Sequence, residues 1–154
     1  GAWSLQDALS VTSTITLNNG TLTTNGYAVT AGLFSSSNTN TRVLNLGAST
    51  VTLVGSGTPW NTADPTNMTL NAGTSTITTT SNTAGVLFAG GGLTYYNVTF
   101  GATYYNNTLT GANTFNNLTD QRHTDVLRVC GKLPTQTQWN CWGYNHHRRR
   151  SVFS

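Results

Sequence analysis

Apolar and polar residues alternate with a period of two along most of this chain. Val11-Thr-Ser-Thr-Ile-Thr-Leu17 is the first clear case, with Val11, Ile15 and Leu17 on one side and threonines on the other. Strict alternation over four to eight residues is the pattern of a half-buried strand. Asn18-Asn-Gly20 and Asn25-Gly26 follow as turns, since Asn and Gly tolerate positive φ. The same logic predicts strands over 21–24, 27–30, 42–46, 49–54, 68–70, 74–80, 86–89, 93–100, 104–109 and 114–119, with Leu33-Phe34 a short apolar touch. Ser35 to Thr41 and Gly55 to Pro65 read as irregular loops, the second carrying two prolines. Only Ala2 to Leu9 fits a helical period, with Trp3, Leu5 and Leu9 on one side, and it reads as a short cap or join.

One idea is stated twice. Leu44-Asn-Leu-Gly-Ala-Ser-Thr-Val-Thr-Leu53 and Met68-Thr-Leu-Asn-Ala-Gly-Thr-Ser-Thr-Ile-Thr78 each run from an apolar pair through a small turn into Thr-x-Thr. Leu46 and Leu70 are 24 apart and Val51 and Ile77 are 26 apart, so the second copy reads as longer in its turn. Self-similarity at this interval marks repeat architectures. The expectation is an all-β chain, a parallel β-helix or solenoid, with an antiparallel β-sandwich as the alternative. In a solenoid, strands stack about 4.8 Å apart, so threonine and asparagine ladders form outside and apolar ladders inside. The predicted division is 1–10 as cap or join, 11–119 as solenoid body and 120–154 as a separate tail.

Leu70-Asn-Ala-Gly-Thr-Ser-Thr-Ile-Thr78, Phe88-Ala-Gly-Gly-Gly92, Tyr95-Tyr-Asn-Val-Thr-Phe100 and Gly111-Ala-Asn-Thr-Phe-Asn-Asn-Leu-Thr119 carry a resemblance. On them, residues from about Val11 to Thr119 resemble the Thr/Asn/Gly-rich β-solenoids of bacterial surface adhesins, autotransporter passengers and phage appendage proteins. The resemblance implies a display or attachment role outside the cell or on a virion surface, and it names no ligand.

Composition sharpens this picture. Only 7% of the 154 residues are charged and Glu is absent, whereas about a fifth are Thr, whose branched Cβ suits a pleated surface. The longest apolar run, Val86 to Ala89, is far too short to span a bilayer. The chain opens at Gly1 without an initiator Met, which reads as a processed or excised piece. After Asp120 the composition changes. Six of the seven basic residues, all three His and both Cys lie there, and six bases against Asp125 leave +5. Residues 1–120 carry −2, from Arg42 against Asp7, Asp64 and Asp120. No further Thr/Asn coil is legible in the tail, which fits a frame-shifted reading of the next coils.

Candidate chemistry is sparse. Glycoside hydrolysis usually needs two carboxylates about 5–10 Å apart, and Asp64 and Asp120 are separated by 56 positions. Asp64 reads instead as the cap of a proline turn, and no enzyme is expected. Cys130, Cys141, His146 and His147 are zinc-ligand types without the close Cys pair of structural zinc sites. A disulfide, free thiols or plain tail is the better reading, and no metal or cofactor is expected. Arg148-Arg-Arg150 beside Trp139, Trp142 and Tyr144 would suit a nucleic acid, but the basic footprint does not reach the body. Gly90-Gly-Gly92 is a turn rather than a phosphate loop. Asn67, Asn97, Asn106 and Asn117 head glycosylation sequons of the kind an Asn/Thr-rich chain produces by chance.

Tyr95, Tyr96, Tyr104 and Tyr105 are the candidate ligand surface. Neighbours in a strand point to opposite faces, so each pair is expected to put one ring inside and one outside, where it would stack on sugars or form a structural ladder. The functional expectation is a non-catalytic spacer and attachment surface, with a cell-surface glycan or self-association along the solenoid as partner. Ice binding by a flat array of Thr14-x-Thr16, Thr21-x-Thr23, Thr50-x-Thr52, Thr74-x-Thr76-x-Thr78 and Thr108-x-Thr110 is a second reading, weakened by the uneven intervals between the pairs. A degraded polysaccharide enzyme is a third.

Overall fold

The computed structural model describes residues 1–82, 85–101, 107–121, 127–131 and 140–144, the last two segments by their backbone. None of the described residues is helical. The strands are β1 (Ala2–Ser4), β2 (Leu9–Ser10), β3 (Thr14–Thr16), β4 (Gly20–Thr23), β5 (Val29–Ala31), β6 (Leu33–Ser35), β7 (Arg42–Asn45), β8 (Thr50–Leu53) and β9 (Gly57–Asn61). They continue as β10 (Met68–Asn71), β11 (Thr76–Thr79), β12 (Val86–Ala89), β13 (Thr94–Phe100), β14 (Thr108–Thr110), β15 (Thr114–Asp120), β16 (Leu127–Gly131) and β17 (Asn140–Tyr144).

Three sheets take these strands in rotation. The first is ordered β1-β4-β7-β10, the second β15-β13-β11-β8-β5-β2 and the third β17-β16-β14-β12-β9-β6-β3. The chain therefore visits first, second and third sheet in turn, making a tier, and starts the next tier beside the last. After β10 the first sheet receives no further described strand, and Gly90 to Leu93 lead straight from β12 into β13. Every strand pair is parallel except β16 with β17. Parallel pairing throughout overturns the antiparallel sandwich, because a sandwich is built from hairpins and no hairpin joins consecutive strands before β16.

Register turns the alternation into ladders. In the second sheet Leu9, Val29, Val51, Ile77, Val98 and Leu118 stand one above another and face inward. The third sheet adds Ile15, Phe34, Trp60, Phe88 and Leu109, and the first adds Leu22, Leu44 and Leu70. All belong to or pack against one buried cluster. Trp60 is its largest member, stacked on Phe34 at 4.5 Å and on Phe88 at 5.8 Å between ring centroids.

The same register corrects three sequence expectations. Residues 2–4 and 9–10 are strands pairing with β4 and β5, not a helix. Trp3 and Leu5 fit a period of two as well as a helical one, and neighbouring strands decide between them. Gly57 to Asn61, read as loop, forms β9. Thr58 and Pro59 face the single residue Leu87, a bulge that tolerates proline's missing N–H. Finally, the two copies of the repeat are equally long. Leu70 pairs with Leu44 rather than Leu46, so Leu44–Leu70, Asn45–Asn71 and Val51–Ile77 are all 26 apart. Gly73 then sits over Gly47, both with positive φ, and Thr74 N–H donates to the Gly47 carbonyl at 2.7 Å.

Pairing also continues past Asp120, where the Thr/Asn composition ends. β16 runs parallel to β14, and β17 returns beside it with Cys141 opposite Cys130 in the backbone register.

Candidate functional site

Tyr95 and Tyr96 divide as alternation requires. Tyr95 is 2% exposed, wedged edge-on to Phe88 at 5.1 Å and stacked on Phe115 at 5.6 Å. Its hydroxyl donates to the Gly90 carbonyl at 2.8 Å, accepts from Trp60 Nε1 at 3.1 Å and lies 2.9 Å from Thr62 Oγ1. Burial pushes its pKa up to about 12, against the opposing effect of the Thr62 and Trp60 hydrogen bonds. A ring so enclosed has no surface to offer, so Tyr95 leaves the candidate ligand set and becomes a core residue. Tyr96 faces outward and is half-buried. Tyr104 and Tyr105 lie outside the described residues, as do His146, His147, Trp139 and Arg148 to Arg150.

Asp64 behaves as a turn cap. Its Oδ1 accepts the Thr66 N–H at 3.0 Å, and hydrogen bonds from the Thr66 side chain and backbone hold its carboxyl below the usual range. The loop it caps is organised by a residue that pattern reading passed over. Arg42 opens β7 on the inward side and is wholly buried. Its Nη1 donates to the carbonyls of Asn38, Asn40 and Thr66, its Nη2 to those of Ser36 and Asp64, and its Nε to Ser36 Oγ. One guanidinium fork thus ties Ser36–Asn40 to Asp64–Thr66, using the planar donor set that only Arg supplies. The available signal was its isolation: Arg42 is the one basic residue among the first 121.

The outer faces are where a ligand would meet the chain, and they differ. On the first sheet, amides link the columns: Asn71 Nδ2 donates to Asn45 Oδ1 at 2.7 Å, and Asn45 Nδ2 to Thr23 Oγ1 at 3.0 Å. The third sheet mixes Leu33, Leu87 and Thr108 on its outward positions. The second sheet is regular. One outward column reads Ser10, Thr30, Thr52, Thr78, Thr99 and Thr119, one residue per strand. Two residues back along the strands, Thr50, Thr76, Asn97 and Asn117 form a second column. Asn97 donates to Thr76 Oγ1 at 3.3 Å and Asn117 to Asn97 Oδ1 at 2.9 Å, which pins the amides. The hydroxyls of Thr30, Thr52, Thr78, Thr99 and Thr119 have no partner among the described residues. Neither column contains a charge or an aromatic ring.

The Thr-x-Thr pairs of the sequence do not form one array. Thr14 and Thr16 lie in β3 and Thr108 and Thr110 in β14 of the third sheet, and Thr21 and Thr23 in β4 of the first. Only Thr50 with Thr52 and Thr76 with Thr78 lie in the second, whose columns are set by register although its strands are unevenly spaced along the chain. The turns absorb the difference: successive inward residues of the second sheet are 20, 22, 26, 21 and 20 apart, yet each strand pairs in register. No helix among the described residues is long and apolar enough to cross a membrane. Fold and faces together define a class, an all-β chain of stacked parallel sheets. No family model, curated protein or solved structure matches the chain.

Proposed function

We propose that the chain is a parallel β-solenoid of the surface-display kind, a non-catalytic spacer whose outer face attaches to a ligand outside the cell or on a virion. The observation that supports this best is the second sheet's outward face, an uncharged hydroxyl column over six strands and a Thr/Asn column over four, held in one register. Such a face offers repeated hydrogen-bonding groups and few sites for proton transfer. The carboxylate of Asp64 is engaged in its own loop, which argues in the same direction.

The test uses labelled full-length chain on a glycan array and on whole cells, with polysaccharide digests run in parallel. Saturable retention without any change in the glycan is expected. New reducing ends or unsaturated sugars in the digests would replace the display reading with a polysaccharide-active one.

A further inference from the structure

We propose that the ligand of the second sheet's outward face is ice. This rests on the attachment reading and specifies its partner. Binding to a crystal of water demands three things of a protein surface: a repeat in two directions, free hydroxyl-like groups at its nodes, and the absence of charge, which holds liquid-like hydration. The column Thr30, Thr52, Thr78, Thr99, Thr119 meets the second, because each hydroxyl lacks a partner among the described residues and each, like water, both donates and accepts. The β-branched side chain is stiff at χ1, so the hydroxyls are fixed before any contact and little rotamer freedom is lost on binding.

The repeat follows from strand geometry. Columns step about 4.8 Å from strand to strand, and residues i and i+2 are about 6.6–6.8 Å apart along a strand. Water oxygens joined tetrahedrally by hydrogen bonds of about 2.8 Å have second neighbours about 4.6 Å apart, close to the step from strand to strand. Thr50 and Thr52 over Thr76 and Thr78 supply four hydroxyl corners, of which Thr76 already accepts from Asn97. Asn97 and Thr99 over Asn117 and Thr119 extend the rows by two strands, the two amides tied to each other and the threonines free. A crystalline glycan is the competing lattice. Sugar faces are recognised by aromatic stacking, and the two columns hold no ring.

Thermal hysteresis and ice-recrystallisation inhibition of the full chain test this, on protein that unfolds cooperatively on heating. Hysteresis rising with concentration is expected. Thr78→Tyr, at the centre of the face, should lower it about tenfold, while Thr69→Tyr, outward on the first sheet, should leave it within about twofold. Thr52→Tyr repeats the test one strand away. Equal losses in Thr69→Tyr and Thr78→Tyr would remove the face from the argument. A folded chain without effect on ice overturns the proposal outright. If that same chain binds cells or glycans and loses the binding in Thr78→Tyr, the attachment reading stands with a sugar as ligand. If it binds neither ice nor any surface, both fall.

Discussion

Tyr95 shows what a polar group costs and contributes inside an apolar stack. Its hydroxyl meets the Gly90 carbonyl, Trp60 Nε1 and Thr62 Oγ1, so the neutral form is fully partnered. Burial disfavours the charged phenolate, which is why the pKa is raised to about 12 from an ordinary 10.0. The sign follows directly. The fold holds this proton more tightly than the unfolded chain does, so its stabilisation is complete below pH 10 and is lost as pH rises towards 12. The loss amounts to roughly 3 kcal/mol at 1.36 kcal/mol per pH step. Urea unfolding between pH 8 and 12 should show this decline in the native chain. Tyr95→Phe should start about 1 kcal/mol less stable at pH 8, with the Gly90 carbonyl left only the 3.3 Å hydrogen bond from Leu93 N–H and Trp60 Nε1 left only that to Thr62, and lack that component of the decline. Identical alkaline slopes in both proteins would contradict the assignment. Arg42 makes the complementary point, a buried cation held by five carbonyl oxygens and one hydroxyl rather than by a carboxylate.

At the scale of the element, strands with clean alternation were legible because burial on one side enforces the period. β8, β11 and β15 follow from Thr-Val-Thr, Thr-Ile-Thr and Asn-Leu-Thr without any knowledge of neighbours. β9 was not legible, because the bulge at Thr58-Pro59 shifts the alternation just before Trp60. β1 was not legible because three residues cannot distinguish two periods, and pairing with β4 settles the matter. The repeat was visible but its offset was not, since Met68-Thr-Leu70 imitates Leu44-Asn-Leu46 as closely as Leu70-Asn-Ala72 does. The glycines decide it. A Cβ on Gly73 would run into the Gly47 carbonyl, whereas one on Gly47 would find nothing nearer than 3.8 Å. Both have φ near +55°, so Gly47→Ala should cost about 1–2 kcal/mol from backbone strain alone. Gly73→Ala must also push two tiers apart and should cost appreciably more. Denaturant midpoints of the two variants measure the difference, and equal costs would mean that the turns are not stacked.

At the scale of the whole molecule, strands up to β15 pair only with those of the tiers above and below, and Tyr95 of β13 adds a hydrogen bond past β12 to Trp60 of β9. Stability in such an arrangement is a sum of tier and interface contributions rather than a property of one closed core. Hydrogen exchange should therefore be graded along the stack. Amides of β8 and β11, with paired strands on both sides, should open only with global unfolding. Those of β1, β2 and β3 have a neighbour on one side and part-exposed Leu5, Leu9 and Ile15 beneath them, and should exchange near the fraying limit. Uniform protection from β1 to β13 would mean that the chain unfolds as one unit.

Among the described residues the first sheet ends at β10 while the second runs on through β13 and β15. Past β10 the second sheet still carries the threonine column forward, one residue for each further strand, at intervals of about twenty residues.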